Sequence, residues 1–140
     1  MVCQNIAFHM SAYARAHRLG PVFMAPYDVL LATFDVVEPD IIFVSRARRH
    51  IITEANIVGA PDLVVEVLST NRAYDEVVKF KRYDAMGIAE YWIADPQRET
   101  MKIYRRVSGR FALAESSDPL RTPLLPGFTL AYRDIFDFEM

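Results

Sequence analysis

Glu66 is the one carboxylate in an otherwise apolar run, Leu63-Val64-Val65-Glu66-Val67-Leu68, entered through Pro61-Asp62. The run is short and β-branched, which predicts a buried strand over 62–68. A carboxylate in such a strand needs a partner, because a lone buried charge is expensive. A divalent cation is one partner, and Mg²⁺ suits carboxylate oxygen. Asp40 is a second candidate ligand in a similar setting, Pro39-Asp40-Ile41-Ile42-Phe43-Val44. Downstream, Asp75, Lys79 and Tyr83 fall at i, i+4 and i+8 of a predicted helix and so share a face. Two strand carboxylates and a helix lysine converging on one spot would make a metal-dependent phosphodiesterase site.

Each residue also has a plainer reading. Asp40 follows Pro39 and could end a turn. Glu66 could be satisfied by a structural salt bridge to Lys79 or Lys81. Asp75 and Lys79 could be an ordinary i, i+4 pair supporting the helix. Lys81 sits about 200° around the helix from Lys79, so the two lysines are not expected at one site. Tyr83 and Tyr91 could be core residues with satisfied hydroxyls. Trp92 reads as packing, and Asp62 as a residue facing the site or as the start of a strand.

The elements that must position these groups follow in chain order. Residues 1–18 read as a helix, with Ile6, Met10, Tyr13 and Ala14 at helical spacing and Arg15, His17 and Arg18 at the end where cations suit the dipole. Leu19-Gly20-Pro21 stops it. Strands are expected at Val22–Met24, Asp28–Phe34 and Asp40–Ser45, with short connections that predict antiparallel neighbours. Arg46-Ala47-Arg48-Arg49-His50 is the densest run of positive charge. It reads either as a solvated loop or as a phosphate-contacting loop beside the site. Ser69-Thr70-Asn71 supplies N-cap chemistry for a helix ending near Met86, with Gly87 past its end. Its expected apolar stripe is Tyr74, Val77, Val78 and Ala85. Glu90–Ala94 is a further strand, and Ser108-Gly109 links Lys102–Val107 to Arg110–Glu115 as a hairpin. The Pro-rich tail is expected to be extended, pinned by Phe128, Leu130, Ile135 and Phe136.

The chain has 140 residues, 52% hydrophobic and 24% charged. That is enough for one well-packed domain and too apolar for disorder. No apolar run has the length of a membrane span, so no membrane association is expected. The start lacks a charged segment followed by an apolar block, so no signal peptide is expected. Cys3 is the one cysteine, which excludes an intrachain disulfide and fits a cytoplasmic location. His9, His17 and His50 have no metal-site spacing. A net charge of −2 counts against holding nucleic acid by bulk electrostatics, while leaving room for an enzyme that meets phosphates through a metal and a few arginines.

Pro39–Val44, Gly59–Ser69, the set Asp75, Lys79, Tyr83 and Gly87, then Glu90-Tyr91-Trp92, Asp95-Pro96 and the tail Pro123–Phe128 together resemble the Uma2 family, placed in the PD-(D/E)XK nuclease superfamily. The resemblance covers nearly the whole chain. It implies an α/β fold with a restriction-endonuclease-like mixed β-sheet flanked by helices. It also implies an endonuclease acting on DNA with Mg²⁺ (Mn²⁺ as the alternative ion), and a homodimer. By position, Asp40 and Glu66 match the metal-binding carboxylates, the backbone carbonyl of Val67 could add a metal ligand, and Lys79 matches the catalytic lysine.

Three departures from the pattern stand out. Leu68 occupies the place, two residues after the acid, where the superfamily keeps its lysine. The loop Ser69-Thr70-Asn71-Arg72 reads one residue short. The chain, taken as a single domain over 1–140, is expected to lack a segment that usually precedes the first helix and carries an acid and a histidine. The competing expectation is therefore a catalytically silent domain that dimerises or binds a partner. A phosphoesterase acting on small molecules is a weaker third.

Overall fold

The computed structural model describes residues 1–30, 35–69, 73–115 and 117–137, with the backbone alone for 73–75. Its centre is a six-stranded mixed sheet. β1 (Val22–Met24), β4 (Ile41–Phe43), β6 (Leu63–Val67), β7 (Glu90–Asp95), β8 (Thr100–Val107) and β9 (Arg110–Leu113) lie side by side in that order. β2 (Val29–Leu30), β3 (Val36–Val37) and β5 (Ile57–Val58) form a separate three-stranded sheet, ordered β3-β2-β5.

Strand alternation sorts the apolar side chains onto two faces. One face carries Ile41, Phe43, Leu63, Val65 and Trp92. It packs against α1 (Val2–Ala16), the short α3 (Tyr132–Phe136) and the C-terminal tail, with Ile6, Met10, Phe128 and Ile135 fully or nearly buried. The other face carries Ile42, Val44, Val64, Tyr91 and Ile93 and packs against α2 (Ala73–Met86) and the small sheet. Both faces of β6 are covered, which explains its near-continuous apolar run. β6 and β7 are parallel and joined through α2, as parallel neighbours require a crossover.

Register matters here. Ile41 pairs with Val65 and Ile42 with Val64. Two residues outward from Ile42 and from Val64, Asp40 and Glu66 fall on the α2 face. A slip of one residue would turn such carboxylates into the apolar core beneath α1, so the register is strongly fixed.

The expected elements are found with three corrections, and residues 31–34 of the strand expected over Asp28–Phe34 lie outside the described residues. Val22–Met24 pairs not with the segment after it but with β4, antiparallel, while Val29–Leu30 joins the small sheet, parallel to β5. Short connections do not decide pairing; β4 needed cover on its open edge. The buried side of α2 is not the expected stripe: Val77 is 54% exposed and Ala85 exposed, whereas Tyr83 is fully buried. The helix is rolled so that a polar tip reaches into the sheet. The tail closes with the helix α3, which no periodicity announced. The Ser108-Gly109 hairpin is as expected, both residues having positive φ (52° and 84°), as a type I′ turn demands. The N-cap expected at Ser69-Thr70-Asn71 lies largely outside the described residues.

Candidate active site

Asp40 lies just before β4 and Glu66 near the end of β6, one register step beyond the Ile41–Val65 pair. An Asp40 carboxylate oxygen accepts a hydrogen bond from the Val67 amide at 2.7 Å. In an extended residue the N–H and C=O point to the same side of the strand, so the Val67 carbonyl also faces Asp40.

Glu66 is 4% exposed. Two side chains of α2, one turn apart, hold its two oxygens. Lys79 Nζ lies 3.2 Å from Oε1, and the Tyr83 hydroxyl donates to Oε2 at 2.5 Å. The face shared by Lys79 and Tyr83 is therefore the one aimed at the sheet. Burial is the largest influence on the Glu66 carboxyl and raises its pKa; the Tyr83 hydrogen bond and the Lys79 ammonium pull it back down, and the Asp40 charge adds to the rise. The net direction is upward. The Tyr83 phenol is also raised, first by burial and then by the Glu66 charge, so it stays a donor across the physiological range.

This arrangement decides among the plain readings. The partner of Glu66 is Lys79, not Lys81, which is exposed and lines a separate cavity with Arg82, Gly59 and Ala60. Asp62 accepts from the Ser45 amide at 2.6 Å, at the opposite end of β6, and is a strand-start residue. Trp92 is buried, its indole N–H on Glu90, and Glu90 also accepts from Thr122 at 2.6 Å; this network ties the tail to the sheet. The Asp75 side chain lies outside the described residues. The arginine run 46–49 forms a 3₁₀ turn, Arg46–Ile51, beyond the far end of β4 and not beside the acids.

A further neighbour comes from α1. Cys3, half-buried on α1, has its Sγ 3.8 Å from the Asp40 carbonyl oxygen, and its thiol pKa is raised by burial first and by the Asp40 charge second. The spacing Cys3, Ile6, Ala7, Met10 carried that signal, since it places the thiol on the buried face.

The donor set fits a hard divalent cation. Two carboxylates and a main-chain carbonyl offer oxygen only, as Mg²⁺ or Mn²⁺ prefers. Among the described residues there is no cluster of three or more His, Cys, Asp or Glu.

The model of the Uma2 family, described as "Putative restriction endonuclease", matches residues 1–133. The chain belongs to the Uma2 family. Among solved structures it is similar to "a putative nuclease belonging to DUF820" from Anabaena variabilis, with a TM-score of 0.75 and 19% sequence identity over 96% of this chain and 78% of that one. At that identity the likeness shows the shared fold. No curated protein matches the chain. Among the described residues no helix is long and apolar enough to cross a membrane.

Proposed function

We propose that this Uma2 chain is a divalent-metal-dependent endonuclease that hydrolyses phosphodiester bonds in DNA, with Asp40, Glu66 and Lys79 as its working set. The observation that carries the reading is Glu66: nearly buried, held by Lys79 and Tyr83, and next to the Asp40 carboxylate. A purely structural ion pair needs one acid; a second acid facing it supports a cation site.

The carboxylates of Asp40 and Glu66 and the carbonyl of Val67 would hold Mg²⁺ or Mn²⁺. When bound, such an ion supplies a Lewis acid for a phosphoryl oxygen and an acidified water as nucleophile. Lys79 is only partly buried, so its ammonium can face substrate from one side and Glu66 from the other. It would orient the attacking water or stabilise charge developing on the phosphoryl oxygens. Tyr83 fixes the Glu66 carboxylate, so one oxygen is held in place. Because Leu68 stands where the superfamily lysine would, Lys79 has to approach from the helix.

The reading includes a homodimer; exposed Phe8, and Met24 on the edge strand β1, support a self-contact there. The deciding experiment combines calorimetry with Mg²⁺ or Mn²⁺ and cleavage of plasmid DNA. Metal binding lost in Asp40→Asn, together with cleavage lost in Glu66→Ala, is expected. No binding at millimolar metal, or unchanged cleavage in Glu66→Ala, replaces it with the silent, partner-binding domain.

A further inference from the structure

The arginines that the metal site leaves unused converge elsewhere. Arg15 and Arg18, at the end of α1, and Arg46 and Arg49, on the 3₁₀ turn, wall one open cleft of about 360 Å³, with Ser11 and Gly20 between them. Among the described residues no carboxylate lines it. The segments that build it, residues 1–27 and 41–53, contain five arginines and no aspartate or glutamate, in a chain whose net charge is −2. Among the described residues none of the four guanidiniums has an ion-pair or hydrogen-bond partner. The fifth, Arg48, turns inward and donates to the Ala60 carbonyl.

The frame beneath is tight. The Arg46 amide donates to the Leu19 carbonyl at 2.8 Å, and the Val44 amide to the Pro21 carbonyl at 3.3 Å. Gly20 has φ +141°, and a Cβ there would lie 2.1 Å from the Val44 oxygen. The end of α1 is thus fastened to the turn after β4. The helix dipole accounts for Arg15 and Arg18. It gives no reason for Arg46 and Arg49, from a distant segment, to face the same hollow, where like charges repel.

We propose that this cleft binds the phosphodiester backbone of nucleic acid, away from the cleaved bond. The inference rests on the nuclease reading for its biological sense, but not for its chemistry. Arg46 and Arg49 also wall a neighbouring, more open hollow of about 570 Å³ with Ala47 and His50, so the basic surface is wider than one anion. Guanidiniums match phosphate geometry in bidentate fashion. From Asp40 to Arg46 is six residues along the chain, at most about 20 Å at strand rise. The cleft lies on the α1 side of the sheet and the acids on the α2 side, so a nucleic acid held there meets them only by passing round the sheet edge.

Binding of fluorescent duplex and single-stranded DNA in EDTA tests this without reference to cleavage. Four phosphate contacts predict an affinity loss of about 150-fold for duplex between 50 and 200 mM salt, and two contacts about 12-fold. The variant Arg46→Glu/Arg49→Glu is expected to show the smaller salt response and weaker binding, whereas Arg46→Lys/Arg49→Lys keeps the larger one; circular dichroism checks that both fold. Loss with either form of DNA supports the proposal, and the preferred form names the ligand. Wild-type affinity and salt response in the Glu variant overturn it, as does binding to phosphatidylserine vesicles without binding to DNA. Arginine-dependent binding without cleavage in any metal would leave the cleft standing and reject the nuclease. Cleavage that depends on Glu66 but is indifferent to the arginines would do the reverse.

Discussion

Tyr83 places its hydroxyl 2.5 Å from Glu66 Oε2, a contact between α2 and β6 inside the fold. Removing it leaves a buried carboxylate oxygen without its donor, which costs about 1–3 kcal/mol. Tyr83→Phe is therefore expected to lower stability by that amount in urea denaturation at neutral pH. A double-mutant cycle with Glu66→Gln should give a coupling of about 0.5–3 kcal/mol. Additive effects would mean that the contact does not act as a pair.

Glu66 itself sets a pH dependence. Its folded pKa is raised above the unfolded value, chiefly by burial. The folded state thus binds the proton more tightly. The stability this contributes is fully present below the unfolded pKa and is lost as pH rises through the folded pKa. Glu66→Gln, which never ionises, is expected to melt above wild type at pH 7–8, with the gap closing toward acid pH. A gap that widens on acidification would contradict the upward shift.

A cation held by Asp40 and Glu66, as proposed, would offset that penalty. Because it competes with the Glu66 proton, the rise in Tm on adding Mg²⁺ or Mn²⁺ should grow with pH. Thermal melts with and without metal at pH 5.5 and 8 read this directly. The rise should vanish in Asp40→Asn.

The two lysines of α2 should behave differently. Lys79 reaches Glu66, while Lys81 lines another cavity. Lys79→Ala is expected to reduce cleavage by about 10²–10³, the usual loss of one charge-stabilising donor. Lys81→Ala should leave kcat within error. Equal effects would reject the assignment of Lys79.

Gly20 carries the junction between α1 and the turn after β4. Gly20→Ala meets both a left-handed φ and a backbone oxygen at 2.1 Å. The expected loss exceeds about 1 kcal/mol in chemical denaturation. An Ala variant as stable as wild type would show that the junction can open.

Much of this was legible in the residues. The buried strand around Glu66, the strand at Asp40, the faces of α1 and the 108–109 hairpin follow from periodicity and turn chemistry, which act over a few neighbours. The helix face holding Lys79 and Tyr83 followed from i, i+4 spacing alone. The buried side of α2 differs from its apolar stripe because hydrophobicity does not say which way a helix rolls when a tyrosine finds a buried acid.

The sequence by itself determined the local elements and the identity of the chemically capable residues, since strand and helix periods are properties of neighbouring side chains. Only the tertiary structure decided that β1 pairs with β4, that Asp40 and Glu66 share the α2 face, that Cys3 lies beside Asp40, and that two arginine pairs from distant segments meet in one cleft. Those relations depend on register and packing between segments tens of residues apart, which no short-range spacing encodes.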